Sequence, residues 1–361
     1  MPLSIRLYFL MKYMSGWFAT LNRCTFGGFF RMLAKTKNTS SPRASLDLRA
    51  LLLTPTVGPL IALMLACLFF STQSDRFFSG QNFSLIVQQT VVVGALAIGQ
   101  TIVILTGGID LSNGFIMAFA SMIMTKTAVD NGVNPVIAIV LGITIAGLFG
   151  LANGLLITRF KLPPFIVTLG MLNIAFAVTR LYTIKSVNNL PDVQTFLGET
   201  FKLGETSVTY GSIVMFVLFA IVWFVLRETA IGRHIYAVGD NPEAARLSGI
   251  SVERILLIVY TTAGVFYGIA AVLLIARTAS GDPQAGQSSN LESITAVVLG
   301  GTSLFGGRGN VLGSLIGALI VSVFRNGLQL MRVDSLYQVL ITGILVILAV
   351  AVDQFSQRVK S

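Results

Sequence analysis

The chain has 361 residues, of which 54% are hydrophobic and only 11% charged, with a mean hydropathy of +0.81. A soluble domain carries about 25% charged residues, so a soluble globular class is excluded. The formal net charge of +10 does not require nucleic acid, because basic residues gather at the cytoplasmic ends of membrane spans and beside anionic lipid.

Residues 1–49 form a basic tail with Arg6, Lys12, Arg23, Arg31, Lys35, Lys37, Arg43 and Arg49 against a single acid, Asp47. The tail has no sustained apolar run and no small-residue cleavage site, so it reads as neither a span nor a signal peptide. Its KTKNTSSPRAS stretch has the composition of a disordered linker. Its Phe, Trp and Tyr residues suit contact with the membrane surface. Two cysteines, Cys24 and Cys67, and one histidine, His234, supply too few ligands for a disulfide framework or a zinc site. No metal or cofactor is expected.

Apolar runs then follow near 50–70, 84–106, 112–129, 134–157, 164–183, 209–226, 253–276, 291–301, 311–330 and 336–352. Most approach the roughly 20 residues that cross a bilayer core as helix. The eighth is too short to span, and the glycine-rich stretch after it must carry the chain onward. The expected fold is an all-α polytopic membrane bundle of about ten helical segments, one or more of them short or discontinuous. It occupies 50–353, with a cytoplasmic C-terminal tail at 354–361. The basic tail favours both termini in the cytoplasm; without it the two sides nearly balance. Gly150 with Gly154, and Gly313 with Gly317, have the small-xxx-small spacing that lets helices approach closely in lipid. VILTGG (103–108) and VVLGG (297–301) echo each other at the ends of apolar runs. Such paired interruptions point to a midplane site in transporters, or arise by chance in glycine-rich apolar sequence.

Three sets of residues carry chemistry. In GDNPEAARLSG (239–249), Asn241 is a good N-cap and Pro242 fits the first helical position. Glu243 complements the helix dipole, and Gly249 suits a left-handed closing position. So short a helix needs a surface to rest on. It is either a connector lying on its own bundle or a docking element for a partner. In GGIDLS (107–112), Gly107 and Gly108 can release the chain from helix. Asp110 and Ser112 then either cap the next span at a short cytoplasmic turn or line a translocation path. Gln88, Gln89, Gln100, Asn153, Thr168 and Asn173 lie inside spans, and each needs a hydrogen-bond partner or water. Phe165 beside them either packs in the core or stacks on a sugar ring. No G-x-x-x-x-G-K-[ST] loop, catalytic triad or carboxylate pair occurs, so the chain is not expected to be an enzyme, and ATP would have to be bound by another chain.

IGRHIYAVGDNPEAARLSGI (231–250) resembles the cytoplasmic coupling loop of permease subunits of bacterial ABC monosaccharide importers of the ribose and fructose type. TGGIDLSNG (106–114), PFIVTLGM (164–171) and VVLGGTSLFGGRG (297–309) are similar to further blocks of that family, in the same order. The likeness runs from about residue 84 to 352. It implies a coupling role toward the ATPase for Asp240, Asn241, Glu243, Ala244, Ala245 and Gly249. The family pattern leads one to expect Gly at 240 and Val at 113, and the Asn113 difference bears on substrate choice if that residue faces the path. Candidates for the translocation path are Gln89, Gln100, Gly107, Gly108, Asp110, Asn153, Phe165 and Thr168.

The resemblance implies a permease subunit in the bacterial inner membrane that moves a ribose- or fructose-like monosaccharide. Its implied partners are ABC ATPase subunits, a periplasmic sugar-binding protein and a second permease copy, likewise embedded in lipid. The alternatives are an ABC permease for another small polar solute and an ion-driven secondary transporter.

Overall fold

The computed structural model describes residues 57–204 and 206–358. The basic tail, Cys24 and the start of the first apolar run lie outside the described residues. Each predicted segment is present: α1 Val57–Gln73, α2 Gly80–Leu105, α3 Asn113–Val129, α4 Pro135–Arg159 and α5 Pro164–Tyr182 come first. A short helix α6 Asp192–Thr195, a 3-10 turn and a two-stranded antiparallel hairpin follow, with β1 Thr200–Leu203 and β2 Thr206–Thr209 paired. The chain continues through α7 Tyr210–Glu228, α8 Ala230–Asp240, α9 Pro242–Leu247 and α10 Val252–Thr278. It ends with α11 Ser289–Leu299, α12 Val311–Leu330 and α13 Ser335–Arg358.

Helix α6, the 3-10 turn, the hairpin, helix α8 and the extension of α13 were not anticipated. The hairpin has only two four-residue strands, too short for a periodic signal. Helix α8 was read as loop because its polar face holds Arg233, His234 and Asp240. Only its buried side, Ile235, Val238 and Gly239, shows helical spacing. Helix α13 continues to Arg358, through residues expected to form a C-terminal tail.

Among the described residues, six helices are long and apolar enough to cross a membrane: α2, α4, α5, α7, α10 and α12. Their burial separates centre from periphery. The apolar window of α2 is 83% buried, against 28% for α4 and α5. Helix α2 is therefore the central post, apolar on all sides because protein surrounds it. Helices α1, α4, α5 and α7 expose Leu68, Val140, Ile166 and Phe224, which suits contact with lipid chains.

Small residues set the helix spacing, as the sequence pairs implied. A methyl group on Gly150 would strike the Tyr260 carbonyl of α10, and one on Gly264 of α10 would strike the Ala146 carbonyl of α4. Likewise Gly313 and Gly317 of α12 press on the backbones of Gly300 and Ala296. In lipid this close backbone contact supplies the attraction that water would otherwise provide.

Candidate functional site

Helix α9 has a complete cap at each end. The Asn241 side-chain oxygen accepts from the Ala244 amide at 3.0 Å, and Pro242 occupies the first turn. At the other end Gly249 takes φ +84°, in the left-handed region. The Gly249 amide bonds the Arg246 carbonyl at 3.0 Å, and the Ile250 amide bonds the Ala245 carbonyl at 3.0 Å. This pair of bonds is the Schellman closure. Ala245 is buried against the bundle, with Ile250 packed on the same core cluster. Asp240, Asn241, Glu243 and Ala244 are exposed. Glu243 pairs with Arg246 at 3.4 Å, but both side chains are largely solvated, so the pair adds little stability. Leu247 is 86% exposed. Sequence reasoning missed Leu247, because nothing in the chain itself shows that no part of the bundle packs on it.

The 106–113 break is not a solvated turn. Asp110, Ser112 and Asn113 are fully buried. Helix α2 ends in a second Schellman closure, with Gly107 at φ +77°. There the Gly107 amide bonds the Ile104 carbonyl at 2.9 Å, and the Gly108 amide bonds that of Val103 at 3.2 Å. The chain then turns inward. Asp110 Oδ1 accepts from the Ser112 amide at 2.8 Å and from its hydroxyl at 2.5 Å, and Oδ2 accepts from Tyr267 of α10 at 3.3 Å. Thus Asp110 bonds the Ser112 amide just before α3, an Asx turn rather than the helix cap expected of it. Ser112 occupies the N-cap position without a side-chain capping bond, because its hydroxyl is given to Asp110.

The neighbouring spans join the same knot. Asn153 of α4 donates to the Ser112 hydroxyl at 3.1 Å. Asn113 donates to Gln100 of α2 at 3.1 Å and to Ser293 of α11 at 2.7 Å. In the opposite amide orientation Gln100 instead bonds the Asp110 backbone, its nitrogen donating to the carbonyl at 3.1 Å and its oxygen accepting from the amide at 3.3 Å. Thr168 of α5 donates to the Ile109 carbonyl at 2.9 Å. The structure therefore brings Gln100, Gly108, Asp110, Asn153 and Thr168 together. It does not bring in the rest. Gln89 bonds Gln329 of α12 at 3.0 Å, Asn173 bonds its own helix, and Phe165 is half exposed on α5 rather than in the core. Tyr260, Tyr267 and Ser293 belong to this neighbourhood and were not foreseen. They sit in apolar runs where periodicity alone gives no hint of a polar role.

The two regions meet through backbone. A methyl on Gly239, at the end of α8, would collide with the Leu105 carbonyl, and one on Gly306 would approach the Gly239 carbonyl at 2.7 Å and the Gly107 amide nitrogen at 2.8 Å. The Gly307 amide bonds the Leu105 carbonyl at 3.0 Å, and the Tyr236 hydroxyl bonds the Gly309 carbonyl at 3.0 Å. Burial raises the Tyr236 pKa, so the phenol stays a donor at neutral pH. Three sequence blocks, VGD, TGG and LFGGRG, thus form one junction.

The echo noted in the sequence also has a structural counterpart. Helix α11 ends with Gly301 at φ +84°, its amide on Val298 and the Thr302 amide on Val297. This is the closure of α2 in the same register, with Val103 matching Val297 and Gly107 matching Gly301.

The chain matches, over residues 82–350, the family described as branched-chain amino acid transport system / permease component. A fructose import permease protein from Rhizobium meliloti is 45% identical over 314 residues, covering 85% of this chain and 87% of the relative. A ribose import permease protein from Bacillus subtilis is 40% identical over 302 residues, covering 82% and 92%. A D-allose transport system permease protein from Escherichia coli is 33% identical over 299 residues, covering 82% and 91%. No solved structure matches. The match spans most of the chain and includes α2 through α12 with the junction between them, and the protein belongs to this permease family of multi-pass membrane transport subunits.

Proposed function

We infer that the chain is the permease subunit of an ATP-binding-cassette importer and carries a monosaccharide of the ribose or fructose type across the bacterial inner membrane. The observation that carries this reading is the near full-length identity to sugar import permeases. The sequence contains no phosphate-cradling loop, so the energy would come from separate ATPase subunits. Helix α9 supports the docking role: it is capped, projects Glu243, Ala244 and Leu247, and is held to the bundle by Ala245. On this reading α8 and α9 face the cytoplasm, as do both termini. A periplasmic sugar-binding protein engages the opposite end, and a second permease copy completes the path.

In this scheme ATP binding draws the ATPases together and shifts α9. The shift reaches the α2 end and the 300–310 loop through Gly239, Leu105 and Gly307. The buried knot around Asp110 then moves with α2, α3 and α11 as one polar unit, because each of its members is bonded to at least one other.

The test is uptake of a labelled panel of sugars and amino acids into vesicles, with and without the cognate ATPase and binding protein. ATP-dependent uptake of a pentose or hexose that needs both partners supports the reading. Uptake of an amino acid instead assigns another small polar solute. Uptake that follows an ion gradient without the ATPase overturns the importer scheme.

A further inference from the structure

Helix α11 has two polar faces. Ser293 on one face receives the Asn113 hydrogen bond, and Asn290 donates to the Leu111 carbonyl at 3.4 Å. The adjacent residue, Glu292, is 8% exposed and turns the other way, toward α12. There both of its oxygens accept from Arg325 Nη1, at 3.2 and 3.3 Å. The pair borders a cavity of about 240 Å³ between α11, α12 and α13, whose lining also includes Ser288, Gln338, Thr342 and Phe324. Arg277, in the last turn of α10, is close enough to act electrostatically on both charges. That turn lies about 40 Å along α10 from α9, at 1.5 Å per residue. The cavity thus belongs to the part of the bundle remote from the coupling helix.

We propose that this cavity is a binding subsite for a neutral, hydroxyl-rich solute, a single sugar ring, on its way through the permease. The proposal rests on the permease reading above and adds a place to it. An ion pair inside a membrane bundle is costly to desolvate, and intramembrane charges generally mark a solute path. Among the lining residues Glu292 and Arg325 alone carry charge and they balance, while Arg277 stands outside the lining. Arg325 gives only Nη1 to Glu292, and its side chain remains 41% exposed, leaving Nε and Nη2 free to donate. Glu292 retains lone pairs to accept. Ser288 adds a hydroxyl, Gln338 its side-chain oxygen and the amide proton not given to the Val333 carbonyl, and Thr342 an acceptor, since its hydroxyl donates to the Gln338 carbonyl; together they offer a sugar hydroxyl both donors and acceptors. Phe324 offers an apolar face for the C–H side of a ring. The volume equals roughly eight waters at about 30 Å³ each, enough for one small ring. Because α11 carries Glu292 beside Ser293, a ligand that moves Glu292 also moves a bond of the Asp110 knot.

The experiment uses full-length permease with Thr342→Cys in a Cys24→Ser, Cys67→Ala background. Labelling by a small water-soluble thiol reagent is measured on the purified protein in lipid, with and without saturating ribose or fructose. Slowing of the labelling by fivefold or more with the sugar, and not with an equal concentration of a disaccharide, is the expected result. Labelling unchanged by either sugar, or no labelling at all, overturns the subsite. The measurement needs no ATPase, so it fails or succeeds separately from the uptake test of the permease reading. A second variant, Gln338→Leu, keeps the ion pair intact. It should raise the KM of sugar uptake about tenfold, and an unchanged KM counts against the subsite.

Discussion

The backbone of Gly239 rests against the carbonyl of Leu105, so close that no side chain fits between them, and the Gly307 amide nitrogen lies 2.6 Å from where a methyl group on Gly239 would sit. Gly239→Val therefore must separate α8 from the end of α2. Overpacking of this kind costs about 1–3 kcal/mol. The expected outcome is a lowered melting temperature and loss of uptake. Gly170→Ala, whose new methyl meets nothing within 4 Å, should change neither and serves as the matched control.

Asp110 provides the acceptors for the Ser112 amide, the Ser112 hydroxyl and Tyr267. Asp110→Leu leaves all three buried donors unpaired, at about 1–3 kcal/mol each. The chain should fail to accumulate in the membrane. Asp110→Asn keeps one oxygen as acceptor and should be recovered in larger amounts. Equal yields of the two variants in a membrane immunoblot would refute the role given to this carboxylate.

Helix α9 allows fold and partner binding to be separated. Leu247 is 86% exposed and makes no part of the core, so Leu247→Asp should leave the melting curve unchanged. It should reduce co-purification of the ATPase at least tenfold. Glu243→Arg reverses an exposed charge at the helix start and should act in the same direction, more weakly. Normal co-purification of both variants would remove α9 from the docking surface.

Asn241→Ala deletes the cap bond to Ala244 and should cost about 1 kcal/mol of local helix stability. The effect should show as faster amide exchange over 243–247 and a several-fold weaker ATPase affinity. Protection elsewhere in the bundle should not change.

The packing glycines should differ in severity. A side chain at Gly150 meets the Tyr260 carbonyl and the Gly264 backbone. One at Gly154 meets Leu257 Cδ1 at 3.1 Å, the end of a side chain that can turn aside, although Leu257 Cα lies at 3.2 Å. Both Leu substitutions should lower the melting temperature, Gly150→Leu more than Gly154→Leu. A reversed order in a thermal shift measurement contradicts the backbone-contact argument.

The spans were legible because membrane crossing demands long apolar runs, and the caps of α9 because Asn, Pro and Gly each have a narrow local use. The matching ends of α2 and α11 were visible as VILTGG and VVLGG for the same reason. The location of Asp110 was not. A sequence shows that a carboxylate follows two glycines, but whether the chain then turns outward to water or inward to Tyr267 depends on helices more than a hundred residues away. Glu292 and Arg325 escaped notice on the same ground: 33 residues apart, they become a pair only when α11 folds back beside α12. Leu247 looked ordinary because exposure is a property of what fails to pack on it.

A six-residue helix with loose ends is among the first parts of a protein to fray. Helix α9 has its opening amides tied by Asn241 and its last carbonyls tied by Gly249 and Ile250. Its flanks are equally short, with Asn241 alone joining it to α8 and three residues, 249–251, reaching from Ser248 to the start of α10. There is almost no slack in which a load could be lost as local melting. If α9 is where the ATPase docks, as proposed, force applied at Leu247 would reach the feet of α8 and α10 with little loss, and this small element would act as a stiff lever rather than a soft hinge.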